Sequence, residues 1–207
     1  MRQLHFPIDE KSFEKVAGVD EAGRGPLAGS VVAAACILPK KHSIQGIQDS
    51  KKLTPKARET VYKKLVKSKG VHWAIGIVDV EEIDRINILQ ATLLAMQMAV
   101  EKLSIKPDFL LIDGLHVPKT EIPSQAVVDG DDLHPCISAA SIFAKVTRDA
   151  LMKELHQRWP VYGFDQHKGY GTRQHLEALA LHGPCPIHRR SFAPVAEKSI
   201  SSQFQLF

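Results

Sequence analysis

Two adjacent carboxylates, Asp20 and Glu21, stand between an apolar stretch and a turn broken by glycines. Residues 15–19 predict a short buried strand before them, and Gly23-Arg24-Gly25 predicts the turn after them. Acids that cluster in an apolar frame repel each other unless a cation lies between them. Because carboxylate oxygens are the ligands that hard divalent cations prefer, this segment predicts part of a magnesium or manganese site.

Two further acids fit the same site. Asp113 follows the apolar run 109–112, which is typical of a buried strand, and Asp131 follows the last predicted strand. Side chains at the ends of neighbouring strands converge even when they are far apart in sequence. Four carboxylates without histidine or thiolate partners suit a two-metal phosphodiester hydrolase, in which one ion activates a water and the other stabilises the leaving oxygen. We therefore predict these catalytic and metal-binding residues: Asp20, Glu21, Asp113 and Asp131.

The alternation of side chains along a strand leaves one question open for Asp20 and Glu21. Successive side chains point to opposite faces of a sheet. Both carboxylates reach one site only if the strand twists at its end. Otherwise one of the two residues contributes its backbone carbonyl.

Alternating strand and helix patterns surround these acids. Thr54 followed by Pro55 predicts the start of a helix. Strands are predicted at 15–19, 30–38, 72–78, 109–112 and 125–128, and helices from 55, at 81–103, at 135–159 and at 172–181. This order predicts an α/β fold with a mixed five-stranded sheet flanked by helices and a helical C-terminal extension.

Composition places the chain among ordinary globular domains. Its 207 residues suffice for one well-buried domain, and its net charge is +4. The scattered cysteines Cys36, Cys136 and Cys185 predict neither a disulfide framework nor a thiolate zinc site. No apolar run is long enough to span a bilayer, and the first residues do not have the pattern of a signal peptide. We therefore expect a cytoplasmic protein.

The net charge of +4 is by itself weak evidence for a polyanionic partner. The distribution of the cations says more, because they concentrate in the segment 49–69 and again between residues 167 and 190. Charge runs on a helix are usually a solvated face, and this is the prediction for Lys56, Lys63, Lys64 and Lys67. Arg148 and Asp149 are predicted to form a structural ion pair.

Six stretches, in order, resemble bacterial ribonuclease HII. They are VDEAGRGPLAG at 19–29, DSKKL at 49–53, LIDG at 111–114, ISAASIFAKVTRD at 137–149, YGF with HKGYG at 162–171, and HRRSFAPV at 188–195. The resemblance implies a ribonuclease H-like fold and endonucleolytic cleavage of RNA in RNA–DNA hybrids. It also implies incision on the 5′ side of single ribonucleotides in duplex DNA, leaving a 3′-hydroxyl and a 5′-phosphate. The related ribonuclease HIII carries a different glycine turn, so the turn favours type HII.

The same resemblance implies roles for individual residues. The family's metal-binding acids match the four acids above. The Gly23-Arg24-Gly25 turn would read the ribose 2′-hydroxyl through backbone groups, since that hydroxyl distinguishes RNA from DNA. Tyr170 would stack on the neighbouring sugar. Phosphate contacts are predicted for Lys51, Lys52, Lys145 and Lys168, with Ser141 as a further candidate.

Two positions depart from the family pattern, and the first of them affects the choice of the last acid. Asp129 stands where the family usually has lysine, and Leu115 replaces a frequent asparagine. Three acids therefore lie close together, and the choice of Asp131 over Asp132 depends on register with the following block at 137–140.

Three segments are predicted from the extent of the match: a ribonuclease H-like catalytic domain at 1–160, its helical substrate-binding extension at 161–198, and a flexible tail at 199–207. In the tail, Gln203, Leu206 and Phe207 resemble the short peptides that dock on the replication sliding clamp. A tail that folds back onto the body is the alternative. By analogy with the family we expect a monomer.

Two other functions compete with a metal-dependent ribonuclease. In a nucleotide-binding phosphotransferase, Gly23 to Gly25 would cradle phosphates, although the spacing to Gly29 has one residue too many for GxGxxG. In a non-catalytic nucleic-acid-binding module, the basic patches would be explained, but the acids at the strand ends would have no role.

Overall fold

The computed structural model describes residues 13–40, 44–47 and 53–197. The strands in these residues are β1 (Val16–Ala22), β2 (Val31–Ile37), β3 (His72–Val78), β4 (Phe109–Asp113) and β5 (Ser124–Val127). The helices are α1 (Pro55–Lys67), α2 (Val80–Glu101), α3 (Gly130–Leu133), α4 (Pro135–Arg158), a 3-10 turn (Pro160–Tyr162), α5 (Phe164–His167) and α6 (Arg173–His182). The predicted α/β fold with a mixed five-stranded sheet is confirmed.

The sheet has the order β3-β2-β1-β4-β5. β1 pairs antiparallel with β2 and parallel with β4, and β4 pairs parallel with β5. Val19 lies opposite Ile112 in the register, so Asp20 and Asp113 each follow a paired residue on neighbouring strands. Parallel strands end at the same edge of a sheet, which brings these two acids to one rim.

Helices cover both faces of the sheet. Ala17 and Val19 belong to the buried cluster formed with α2. On the other face α4 packs very close to β1, because a Cβ at Gly18 would lie 2.1 Å from the carbonyl carbon of Cys136. Only a residue without a side chain permits this approach. The start of α4 therefore lies directly against the strand that carries Asp20.

One of the long helices differs from the sequence prediction. The helix predicted at 81–103 is kinked at Asn87, whose φ is 69°. The Asn87 side chain accepts hydrogen bonds from the backbone N–H groups of Leu89 and Gln90, so it caps the second segment of α2. The start of α1 is as predicted, since the Thr54 hydroxyl accepts the N–H of Ala57 at 3.3 Å. In the described part of the chain, no helix is long and apolar enough to cross a membrane.

Candidate active site

Asp20 is a buried carboxylate at the rim of the sheet. Its exposure is 5%, and its Oδ1 accepts the N–H of Glu21 at 2.6 Å. Burial raises the pKa of Asp20 well above its ordinary value, and the negative charges of Glu21 and Asp113 raise it further. A hydrogen bond from Ser141 partly opposes this rise. Asp20 therefore lies in a field that favours the arrival of a cation.

Glu21 shares that field and has a cationic neighbour. Nη1 of Arg24 lies 3.3 Å from its Oε1. Burial raises the pKa of Glu21, the guanidinium of Arg24 opposes this shift, and the charge of Asp113 adds to it. The sequence predicted that the strand ends at residue 19, before the two acids. In the structure β1 continues to Ala22, so both acids lie within the strand.

A short helix brings Asp131 next to the strand of Asp113. The N–H of Gly130, the first residue of α3, donates to Oδ1 of Asp113 at 2.8 Å. Asp131 is 1% exposed, and its carbonyl accepts the hydroxyl of Ser138 on α4. Asp132 is exposed. Of the two acids that the sequence left open, Asp131 is the one that points into the protein.

The chemistry of this donor set fits a divalent cation. All four candidate ligands are carboxylates; the charges of Glu21 and Asp113 raise the pKa of Asp20, and the charge of Asp113 also raises the pKa of Glu21. Among residues 13–40, 44–47 and 53–197, no three acidic, histidine or cysteine side chains are close enough together to chelate one ion. Carboxylates repel one another when no cation lies between them. Binding of a cation would therefore have to bring these side chains closer together.

A cleft of about 350 Å³ opens beside Glu21. Its other lining residues include the predicted turn and four further side chains: Gly23, Arg24, Gly25, Arg58, Ser141, Lys145 and Tyr170. A Cβ at Gly25 would lie 3.7 Å from Cε1 of Tyr170, so the tyrosine ring lies against the turn. The structure thus brings together the predicted substrate-binding residues from the first motif, α4 and the loop before α6.

Other predicted contacts are placed elsewhere. The ammonium of Lys168 bonds to the carbonyls of Asp165 and Gln166 and lies outside the cleft. Lys145 Nζ bonds to Asp149 at 2.8 Å, so the predicted pairing of Asp149 with Arg148 is wrong. The predicted contacts Lys51, Lys52, Gln203, Leu206 and Phe207 lie outside the described residues.

Comparison with known proteins identifies the family of this chain. A sequence model of the family described as Ribonuclease HII matches residues 17–195. The chain belongs to the ribonuclease HII family. It is 57% identical over 187 residues to the ribonuclease HII of Chlamydia caviae, covering 90% of this chain and 88% of that protein.

Solved structures give the same relationship. The ribonuclease H2 of Pyrococcus horikoshii OT3 superposes with a TM-score of 0.75 at 31% identity, covering 92% of this chain and 99% of that one. The ribonuclease HII in a complex with PCNA from Archaeoglobus fulgidus has a TM-score of 0.68 at 24% identity, covering 84% and 93%. The second likeness concerns the fold alone.

Membership of the ribonuclease HII family decides among the competing functions. The chain is a ribonuclease H, an endonuclease and divalent-metal-dependent hydrolase that acts on RNA–DNA hybrids, and its fold is ribonuclease H-like. The interpretations as a phosphotransferase or as a non-catalytic binding module are therefore wrong.

Two buried arginines that the sequence interpretation missed support the glycine turn of this ribonuclease HII family member. Arg148 of α4 is 1% exposed and donates to the carbonyls of Ser30, Lys168 and Ala28 at 3.1, 3.0 and 3.1 Å. Burial lowers the pKa of Arg148. Its side chain also fills the space beside Gly23, where a Cβ would lie 2.0 Å from its Nε. α4 is thereby joined to the backbone that follows the glycine turn and to the loop that leads to Tyr170.

Arg189 completes this support from the C-terminal motif. It is fully buried and donates to the carbonyls of Gly29 at 3.0 and 2.8 Å, of Arg24 at 2.9 Å and of Gly23. Burial and the neighbouring Arg148 cation lower the pKa of Arg189 to about 9, so it is charged at neutral pH. In the sequence, Arg189 stands out only as one member of a basic cluster. A buried arginine and a solvated one look alike in a sequence.

Two buried histidines hold the loop that carries Tyr170. Nδ1 of His188 accepts the N–H of Cys185 at 3.0 Å, so its proton is on Nε2. That Nε2 lies 3.0 Å from Nε2 of His175, which must accept, leaving Nδ1–H of His175 to donate to the Tyr170 carbonyl at 2.9 Å. Burial lowers the pKa of both rings, that of His188 to about 4. The chain of bonds requires two neutral imidazoles.

Proposed function

We propose that this protein incises duplex DNA on the 5′ side of a single embedded ribonucleotide and also hydrolyses the RNA strand of hybrids, leaving 3′-hydroxyl and 5′-phosphate ends. The observation that carries the proposal is the position of Asp20 and Asp113. They follow paired residues on parallel strands, and Asp113 raises the pKa of the buried Asp20. The polarity of cleavage comes from the family resemblance.

The acids Asp20, Glu21, Asp113 and Asp131 would hold two divalent ions, magnesium or manganese. The support is a donor set made only of carboxylate oxygens, which suits both ions. When bound, such ions stabilise negative charge on a phosphodiester and promote ionisation of water. In the hydrolysis, water adds to phosphorus and the bond to the preceding 3′-oxygen breaks, and that oxygen leaves as the hydroxyl.

The cleft residues would select the ribonucleotide. The Gly23-Arg24-Gly25 turn would present backbone groups to the 2′-hydroxyl, and Tyr170 beside it would stack on the sugar. Arg189 fixes two carbonyls of the turn, so the backbone is held in one orientation before the substrate arrives. Such preorganisation favours discrimination between two sugars that differ by one hydroxyl.

Phosphate contacts would come from Arg24, Ser141, Lys145 and Lys168. Ser141 and Lys145 line the cleft with Arg24. Lys51 and Lys52 stay predictions from the sequence. So do the division into a domain at 1–160, an extension at 161–198 and a tail at 199–207, and the monomeric state.

The tail residues Gln203, Leu206 and Phe207 would dock on a sliding clamp. The relative from Archaeoglobus fulgidus was solved in a complex with PCNA, which makes a clamp contact a reasonable proposal for this chain. A pull-down with the bacterial clamp tests it. A variant with Leu206→Ala and Phe207→Ala should lose the clamp, and retention at the level of the parent contradicts the proposal.

Three matched duplexes test the cleavage proposal. They carry one ribonucleotide, a long RNA stretch, or DNA alone, and each is incubated with magnesium and with manganese. We expect cleavage of the first two duplexes and none of the third. The duplex with one ribonucleotide should be cut immediately on the 5′ side of that ribonucleotide. Cleavage of the hybrid together with an intact one-ribonucleotide duplex would reject the finer part of the proposal.

A further inference from the structure

A second concavity of about 600 Å³ lies beside the cleft, between α1, α4 and α5. Six of its lining residues are cations, namely Lys56, Arg58, Lys63, Lys145, Lys153 and Lys168. The carboxylates that line it are Glu59 and Asp149. The excess of four positive charges equals the net charge of the whole chain, which is +4. We call this concavity the basic groove.

The basic groove is continuous with the cleft. Arg58 and Lys145 line both of them. A polymer bound in the cleft therefore meets the groove as soon as it extends past these two side chains.

The carboxylates in the groove neutralise only part of its charge. Glu59 pairs with Lys63 and Asp149 with Lys145, each at 2.8 Å. Burial lowers the pKa of Lys168, the charges of Lys153 and Lys145 add to this, and Asp149 opposes it. Cations that repel one another across a groove favour a bound anion.

The length of the groove suits a chain of anions and not one small anion. Lys145 and Lys153 are eight residues apart on α4, which is about 12 Å along the helix axis. One phosphate cannot bridge that distance, whereas a nucleic-acid strand carries one charge per roughly 3.4 Å along its helix axis.

We propose that the basic groove binds the phosphodiester backbone of the duplex that flanks the cleaved position. This proposal depends on the proposed function in one respect, namely that the substrate duplex binds in the cleft. The sequence pattern predicted Lys56 and Lys63 as a solvated helix face. Both are exposed, and both line the groove together with residues of α4. Contacts of this kind hold phosphates without reading sequence or sugar.

The test compares two triple variants with equal losses of charge. The groove variant carries Lys56→Gln, Lys63→Gln and Lys153→Gln, which remove three positive charges from the part of the groove outside the cleft. Lys64→Gln, Lys67→Gln and Lys69→Gln remove exposed lysines that do not line it. Binding is measured by fluorescence anisotropy in EDTA over a range of salt, with a one-ribonucleotide duplex and its all-DNA twin.

We expect the groove variant to lower the slope of log affinity against log salt by about two to three, and to raise Kd roughly tenfold at 0.1 M salt. The effect should be the same on both duplexes, and the control variant should bind like the parent. The kcat at saturating substrate should not change. Equal losses in both triple variants, or an unchanged slope, would overturn the proposal.

Shortening one flank of the duplex locates the contact. Trimming the flank over the groove should abolish the difference between parent and groove variant, and trimming the other flank should preserve it. If neither trim changes the difference between parent and groove variant, the proposal is wrong.

The single variant Lys153→Glu, whose folding is checked by thermal unfolding, repeats the binding test with one exposed change. If the parent protein does not cleave at the ribonucleotide, the proposed function is refuted. Binding to the all-DNA duplex would still test the groove.

Discussion

The guanidinium of Arg189 donates to the backbone carbonyl of Arg24 at 2.9 Å across 165 positions of sequence. The same side chain bonds to Gly23 and Gly29, so the C-terminal motif directly holds the turn of the first motif. The segment after residue 160 is therefore part of the support of the cleft. Two motifs at opposite ends of the chain form one structural unit.

Replacing Arg189 should test this unit. Arg189→Met removes a buried cation and leaves several carbonyls without a donor, so the free energy of unfolding should fall by about 3 kcal/mol or more. Arg189→Lys should recover part of that loss, because an ammonium keeps the charge but not the fork of donors. Urea unfolding measures both. Arg190→Met, at the exposed neighbouring position, is the control, and an equal loss there would contradict the account.

The two glycines of the turn should respond differently to alanine. Gly23 has a φ of +99°, and a Cβ there would lie 2.0 Å from Nε of Arg148. Gly23→Ala should therefore lower the free energy of unfolding by about 2 kcal/mol or more. At Gly25 a Cβ would meet only the Tyr170 ring at 3.7 Å, so Gly25→Ala should fold normally.

Gly25→Ala should instead impair selection of the ribonucleotide, because its methyl group occupies space between the turn and Tyr170. The measurement is kcat/KM on the one-ribonucleotide duplex, which should fall at least about tenfold while thermal stability stays near that of the parent. A stable variant with unchanged kcat/KM would show that substrate does not enter this space.

Acid should weaken the histidine support of the Tyr170 loop. The pKa of His188 falls from its ordinary 6.5 to about 4 in the folded protein. Below pH 6.5 the unfolded chain binds a proton that the folded one does not, so stability is full above this pH and declines down to about pH 4, by up to about 3 kcal/mol. His188→Asn should reduce this decline in urea unfolding. His182→Asn, at an exposed site, should keep it.

The sheet and its acids could be predicted because they depend on local patterns. Apolar runs ending in carboxylates identified β1 and β4, and the parallel pairing that places Asp20 and Asp113 together follows from the α/β order. The burial of Asp131 and the exposure of Asp132 agree with the register argument for the fourth acid.

The support of the cleft could not be predicted in the same way. Arg148 and Arg189 donate to backbone carbonyls. Every residue type has such a carbonyl, so the residue types at the accepting positions do not indicate the bond. The kink at Asn87 arises from a side chain that caps a helix segment within an otherwise continuous helical pattern. The basic groove was missed because a helical lysine run shows its spacing but not what packs opposite it.

The most direct test of the central claim is single-turnover cleavage of the one-ribonucleotide duplex with manganese by Asp113→Asn, beside Asp132→Asn as the exposed control. Loss of a ligand that stabilises charge by several kcal/mol should lower the rate at least about a thousandfold. Folding, followed by thermal unfolding, should survive, and Asp132→Asn should cleave like the parent. Cleavage by Asp113→Asn at the parental rate would contradict the assignment of the carboxylate rim as the metal-binding catalytic centre.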